Sequence, residues 1–190
     1  EAAMYKCVAQ AEKLTGKTIL IVDTSGSMYC GGNVSARSDL TRVDAAAALA
    51  ILIREICEQP VIYCTAGNDS TRVHATALVP NRRGFALADI ITKDEMRAKI
   101  GGGGIFLTQV MEYVKTHEKS ADRIIVITDE QDCDIARSPL NADTFGRFNY
   151  LINVAAHQNG IGYKNKWHHI DGWSEAVIGY IQAAENTKQQ

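Results

Sequence analysis

The chain has 190 residues, 46% of them hydrophobic and 22% charged, with a formal net charge of -2 at neutral pH. That length suits one domain with a sizeable core, and the near-zero charge argues against the strongly basic surface of a nucleic-acid binder. No stretch approaches the ~20 apolar residues of a membrane-spanning helix, and no signal peptide is visible.

The five cysteines, Cys7, Cys30, Cys57, Cys64 and Cys133, are odd in number and include no CxxC pair. They point to neither a zinc site nor a disulfide framework, and a reducing, cytoplasmic setting fits them best. Two short sequons, at Asn33 and Asn68, carry little weight because such patterns arise often by chance. The chain starts at Glu1 rather than at a methionine and reads as a monomeric unit taken from a longer protein.

Residues 2–14 favour a helix closed by Thr15-Gly16, so that 1–16 form a helix and lead-in. "KTILIVD" then reads as a strand buried on both faces. A loop rich in glycine and serine runs to about Thr41, ahead of the alanine-rich helix "VDAAAALAILIREICE". "PVIYCTAG" and "TRVHATALV" predict two strands joined by a turn at Gly67-Asn68-Asp69-Ser70. "FALADIITKDEMRAKI" predicts one helix that stops at the run Gly101 to Gly104, a segment with the composition of a flexible hinge. Beyond it come helix "FLTQVMEYVKTHEK" and a further buried strand, "DRIIVITD". A polar loop containing Pro139 precedes strand "YLINVAA" and a turn at Asn159-Gly160. A short strand near Trp167 and helix "SEAVIGYIQAAE" complete the pattern. Strands alternating with helices predict an α/β fold. It is expected to be Rossmann-like and doubly wound, with a mostly parallel central sheet, one antiparallel edge strand and helices on both faces, over 1–190 as one domain.

Two apolar strands end in an acid, "ILIVD" at Asp23 and "IIVITD" at Asp129. In a doubly wound sheet such carboxyl ends can lie side by side over one crevice. Ser25 and Ser27 follow Asp23 closely, so carboxylate and hydroxyl oxygens would gather there. Hard oxygen donors suit Mg²⁺ or Mn²⁺, and Mg²⁺ retains several waters, so a few protein ligands suffice. Taken singly, Asp-Thr-Ser-Gly is a common turn and Asp129 an ordinary cap. Together they point to a cation site.

"DTSGSM" resembles the DxSxS core of the metal-ion-dependent adhesion site of von Willebrand factor A domains, and "IIVITDE" resembles the later strand of that fold. The N-terminal "AAMYKCVAQAEKLTGKTILIVDTSGSM", the helix "VDAAAALA" and the late "INVAAHQNG…IDGW" resemble the A domain of the Ro (TROVE) family. The resemblance implies a divalent cation (Mg²⁺, or Mn²⁺ or Ca²⁺) held by Asp23, Ser25, Ser27 and Asp129, completed by a carboxylate from a protein ligand. It also implies a separate helical-repeat ring that binds small noncoding Y RNAs or misfolded RNAs. The chain departs from the family in its third loop, where Gly104 stands in place of the expected threonine. Thr108 lies a turn further on, and its hydroxyl would point elsewhere along the helix. Weaker cation binding, with water in the vacated position, is the expectation.

No Gly-x-Ser-x-Gly elbow is present, and no Gly-Lys-Ser/Thr follows the glycine run. An aspartyl nucleophile at Asp23 would want a second acid where Ser25 stands and a positioned lysine, so the expectation is a binding module rather than an enzyme. The alternatives are an A domain from another assembly, ATPase-linked or adhesive, or a Mg²⁺-dependent hydrolase. Glu130 and Asp132, with Asp134, read either as outer acceptors around the cation or, more simply, as a solvated loop. His168 and His169 are adjacent on a strand and would face opposite ways, one packed and one solvated. Trp167 and Trp173 are expected in the core.

Overall fold

The computed structural model describes residues 2–35, 37–134, 144–155 and 167–187. Six strands form one sheet in the order β3-β2-β1-β4-β5-β6. They are β1 (Leu14–Asp23), β2 (Cys57–Asn68), β3 (Val73–Leu78), β4 (Ala121–Thr128), β5 (Gly146–Asn153) and β6 (His168–Asp171). All neighbouring pairs are parallel except β2 with β3, where Tyr63 opposes Leu78 across an antiparallel edge. The chain leaves β1 toward β2 on one side and returns to β4 on the other, so the topological switch point lies between β1 and β4.

Among the described residues seven helices surround the sheet: α1 (Ala2–Val8), α2 (Gly26–Cys30), α3 (Arg42–Ile56), α4 (Phe85–Thr92), α5 (Asp94–Ile100), α6 (Leu107–His117) and α7 (Ala176–Thr187). Side chains alternate along a strand, and β1 divides accordingly between two cores. Leu20 and Val22 join Ala46, Ala50 and Ile53 of α3 and Ile178 and Ile181 of α7. Ile19 and Ile21 join Val110 and Val114 of α6 on the opposite face. Parallel strands covered on both faces are apolar on both, which is why "ILIV" and "IIVI" carry no alternation.

The helix–sheet packing also includes polar anchors. The Arg123 guanidinium of β4 is buried, forks onto the Glu185 carboxylate of α7, and donates to Thr18 Oγ1 at 2.8 Å. Start of α3 is fixed by a reciprocal cap: Thr41 Oγ1 accepts from Asp44 N–H and the Asp44 carboxylate accepts from Thr41 N–H, at 3.2 and 3.0 Å.

Several predicted elements shift. The first helix ends at Val8 rather than Leu14, because Leu14 is drawn into the sheet opposite Cys57. The helix predicted over 85–100 is two, broken at Lys93, whose backbone is extended (φ -71°, ψ 150°). A short helix, α2, stands within the predicted glycine–serine loop. Trp167 is buried, but Trp173 is 37% exposed and outside the core. The polar loop around Pro139 and the turn at Asn159-Gly160 lie outside the described residues, apart from the polar loop's first residues.

Candidate metal centre

Asp23 is the last residue of β1 and is wholly buried. Its Oδ1 accepts from the Ser25 N–H at 2.8 Å, closing a tight turn into α2, and its Oδ2 accepts from Thr128 Oγ1 at 2.6 Å. Thr128 ends β4, the strand beside β1, so this hydrogen bond ties the two strand ends together. Among the described residues every donor to Asp23 is neutral. Burial first, and then the nearby Asp129 charge, push the Asp23 carboxyl up to about 7, against the hydrogen bonds from Thr128 and Ser25. The hydroxyls of Ser25 and Ser27 lie 3.2 Å apart.

Asp129, also wholly buried, faces the α3 side. There its Oδ2 accepts from Arg42 Nη1 at 2.7 Å, while Oδ1 accepts from the Gln131 N–H at 3.2 Å. Arg42 is the first residue of α3 and only 7% exposed. The Cβ of any residue larger than glycine at position 31 would stand 2.5 Å from Arg42 Nη1, so Gly31 leaves room for the guanidinium. Arg42 is a site residue absent from the sequence expectations, although the sequence carries a signal for it. The Thr41-x-x-Asp44 capping box puts Arg42 in the first helical turn, where the macrodipole disfavours a cation. A buried arginine there requires a carboxylate nearby.

The third loop is anchored rather than hinge-like. Gly103 O accepts from the Gly26 N–H and Gly103 N–H donates to Gly67 O, both at 3.0 Å. Gly104 N–H donates to Asp69 Oδ1 at 2.7 Å. A Cβ at position 104 would land on Cys133 Sγ. The space that a side chain at 104 needs is therefore filled by Cys133. Thr108, in the first turn of α6, has a buried hydroxyl with no hydrogen-bond partner among the described residues.

Glu130, Asp132 and Asp134 are not a solvated loop: they are 1%, 4% and 2% exposed. Asp132 Oδ1 accepts from the Leu107 N–H at 3.2 Å and Asp134 Oδ2 from the Gln109 N–H at 3.4 Å. Both acids thus cap α6 from outside its own sequence, satisfying donors that the helix leaves open. The second oxygen of Asp132 is buried and unpartnered, and burial pushes its carboxyl up to about 6. Glu130 turns the other way on a left-handed backbone (φ 63°) and pairs with His169 Nε2. His169 Nδ1 lies 3.6 Å from Asp171 Oδ2, whose partner oxygen accepts from Asn153 Nδ2 at 3.2 Å. Glu130, His169 and Asp171 form a second group of ligand-type atoms within 4.8 Å of one another. The imidazole lies between the two acids and fastens β6 to the end of β4. His169 thus contacts carboxylates rather than being simply packed or solvated, and His168 instead faces the Tyr150 ring at 5.4 Å.

The donor set fits a hard cation on the β1 side. Asp23 is buried without a cationic partner among the described residues, beside two hydroxyls, while Asp129 is already paired and the third loop offers no side-chain oxygen. Asp23, Ser25, Ser27 and Asp129 are brought to one switch point; Gly104, Glu130 and Asp132 are engaged elsewhere, and the Thr108 hydroxyl is buried without a hydrogen-bond partner among the described residues.

No family model and no curated protein matches the sequence. Among solved structures, the Ro (RSR) protein of Deinococcus radiodurans superposes with a TM-score of 0.61 over 92% of this chain, at 14% identity. The chain spans 36% of the length of that protein. An aerotolerance-related membrane protein from Bacteroides fragilis, carrying multiple mutations to serine, superposes with a TM-score of 0.54 over 91% of this chain and the whole of that one, at 12% identity. At such identities the likeness speaks for architecture alone, and with the six-stranded sheet and its antiparallel edge it gives the chain a von Willebrand factor A fold.

Proposed function

We propose that this chain is a cation-dependent binding module of a Ro-type ribonucleoprotein. Asp23, Ser25, Ser27 and Asp129 would hold Mg²⁺ or Mn²⁺, and the ion would supply a positive charge for an acidic side chain of a protein partner. The single observation that carries this reading is the junction of the two strand ends. Asp23 is fully buried at the switch point, tied to β4 by Thr128, with the paired serine hydroxyls beside it. A buried carboxylate in that setting is costly unless a cation or a proton compensates it.

The Ro assignment rests on the sequence resemblance together with the Deinococcus superposition. Under it, noncoding or misfolded RNA is bound by a helical ring outside this domain, in the cytoplasm, and the domain itself turns over no substrate. The Bacteroides superposition favours a second reading, an A domain serving a membrane-associated assembly. No helix among the described residues is long and apolar enough to cross a membrane.

Isothermal titration with Mn²⁺ and Mg²⁺ tests the cation reading. The wild-type chain should give a saturable isotherm, and Asp23→Ala should lose it. Flat titrations for both proteins would remove the metal from the account. Release of product from a generic phosphoester with Mg²⁺, lost in Asp23→Ala, would favour a hydrolase instead.

A further inference from the structure

Arg42 stands where a cation is expected. It is 93% shielded from solvent, opens α3 against the helix macrodipole, and places Nη1 2.7 Å from Asp129 Oδ2. Gly31 keeps the space beside its guanidinium free of a side chain. Such a pair is a built interior feature rather than a surface ion pair. We propose that Arg42 is a resident cation of the centre, which weakens divalent-ion binding and couples it to the arrival of an acidic ligand. The proposal rests on the cation reading above and adds a regulator to it.

The charge balance carries the argument. Asp23 and Asp129, when ionised, contribute two negative charges, and Arg42 returns one positive charge. A divalent ion added to that trio leaves one net positive charge in a water-poor site, where an unbalanced charge is costly. One external carboxylate cancels it. With Arg42 absent, the same ion would already balance both acids, and the loaded centre would have no surplus charge to offer. Arg42 therefore makes the ion and the acidic ligand favour each other, and the coupling is reciprocal. It also competes directly, because Asp129 must share or surrender its Arg42 contact to reach an ion. Gly104 sharpens the effect by removing one neutral oxygen donor from the ion's side.

The test is Mn²⁺ titration of the 190-residue chain, with and without excess sodium acetate as the carboxylate probe, for wild type, Arg42→Met and Asp23→Ala. Arg42→Met should bind Mn²⁺ about tenfold tighter than wild type or better, in line with removing one close like charge. Acetate should tighten Mn²⁺ binding severalfold in wild type and leave Arg42→Met unchanged. The melting temperature of Arg42→Met should fall in EDTA and recover with Mn²⁺.

Wild-type protein supplies a control that needs no substitution. The Arg42 guanidinium N–H resonance should move as Mg²⁺ saturates. Should Arg42→Met bind no tighter than wild type, or the resonance stay put while Mg²⁺ binds, the Arg42 proposal falls and the cation reading survives. An equal acetate effect in both proteins overturns the coupling. Flat titrations for wild type and Arg42→Met alike would sink the cation reading itself.

Discussion

Gly104 and Cys133 are one substitution problem shared between two loops. Any side chain at 104 collides with Cys133 Sγ, and its Cβ would also lie 3.2 Å from Asp69 Oδ1. Placing a threonine at 104 alone should therefore overpack the loop, at a cost of ~1–3 kcal/mol. Gly104→Thr should lower the melting temperature, and Gly104→Thr with Cys133→Ala should recover part of the loss. If the double variant also binds Mn²⁺ more tightly than Cys133→Ala, the third loop has regained an oxygen donor. Equal melting temperatures for wild type and Gly104→Thr would show that Cys133 yields without cost.

At the scale of elements, the segment from Asp129 to Asp134 decides how α6 begins. Asp132 keeps one oxygen on the Leu107 N–H and buries the other without a partner. Its carboxyl sits near 6 in the folded chain against 3.8 as a free side chain. At this group the folded state therefore takes up a proton first as the pH falls, so the Asp132 contribution to stability rises on acidification from 7 through 6 toward 4, against the opposite contribution of His74, whose imidazole burial pushes down. Asp23, raised in the same sense, adds to the slope from about 7 downward. Asp132→Asn keeps an acceptor for Leu107 and removes the buried charge. It should stabilise the chain at pH 8 by on the order of 1 kcal/mol and flatten the lower part of the profile, as followed by thermal unfolding in EDTA. An unchanged profile would mean that the Asp132 carboxyl titrates as in water.

The same segment marks the limit of what the sequence discloses. "ILIVD" and "IIVITD" announce buried strands and their terminal acids because a sheet covered on both faces leaves no alternative composition. The burial of the acids after Asp129 is not legible, since nothing in "DEQDCD" distinguishes a carboxylate in water from one capping a helix that begins 25 residues earlier. Arg42 was legible in principle, through the capping box that places it at a helix start. The break at Lys93 and the filling of Gly104's space by Cys133 were not, because both depend on which loops the fold brings together.

Over the whole molecule, the hydrogen bond from Thr128 to Asp23 joins residues 105 apart in sequence. Asp23 with its serines lacks Asp129 until β4 has docked beside β1, so the proposed cation site is incomplete before then. Contacts of such long sequence separation form late, after loop closure has been met. A cation held there would stabilise the native state in proportion to its occupancy and leave the transition state for folding almost untouched. Saturating Mn²⁺ should accordingly slow unfolding in urea while the refolding rate stays constant, whereas acceleration of refolding would place the β1–β4 junction in the folding nucleus. An ion bound there would act as a latch on a finished structure: it would govern how long the domain stays folded, and have no part in how quickly it gets there.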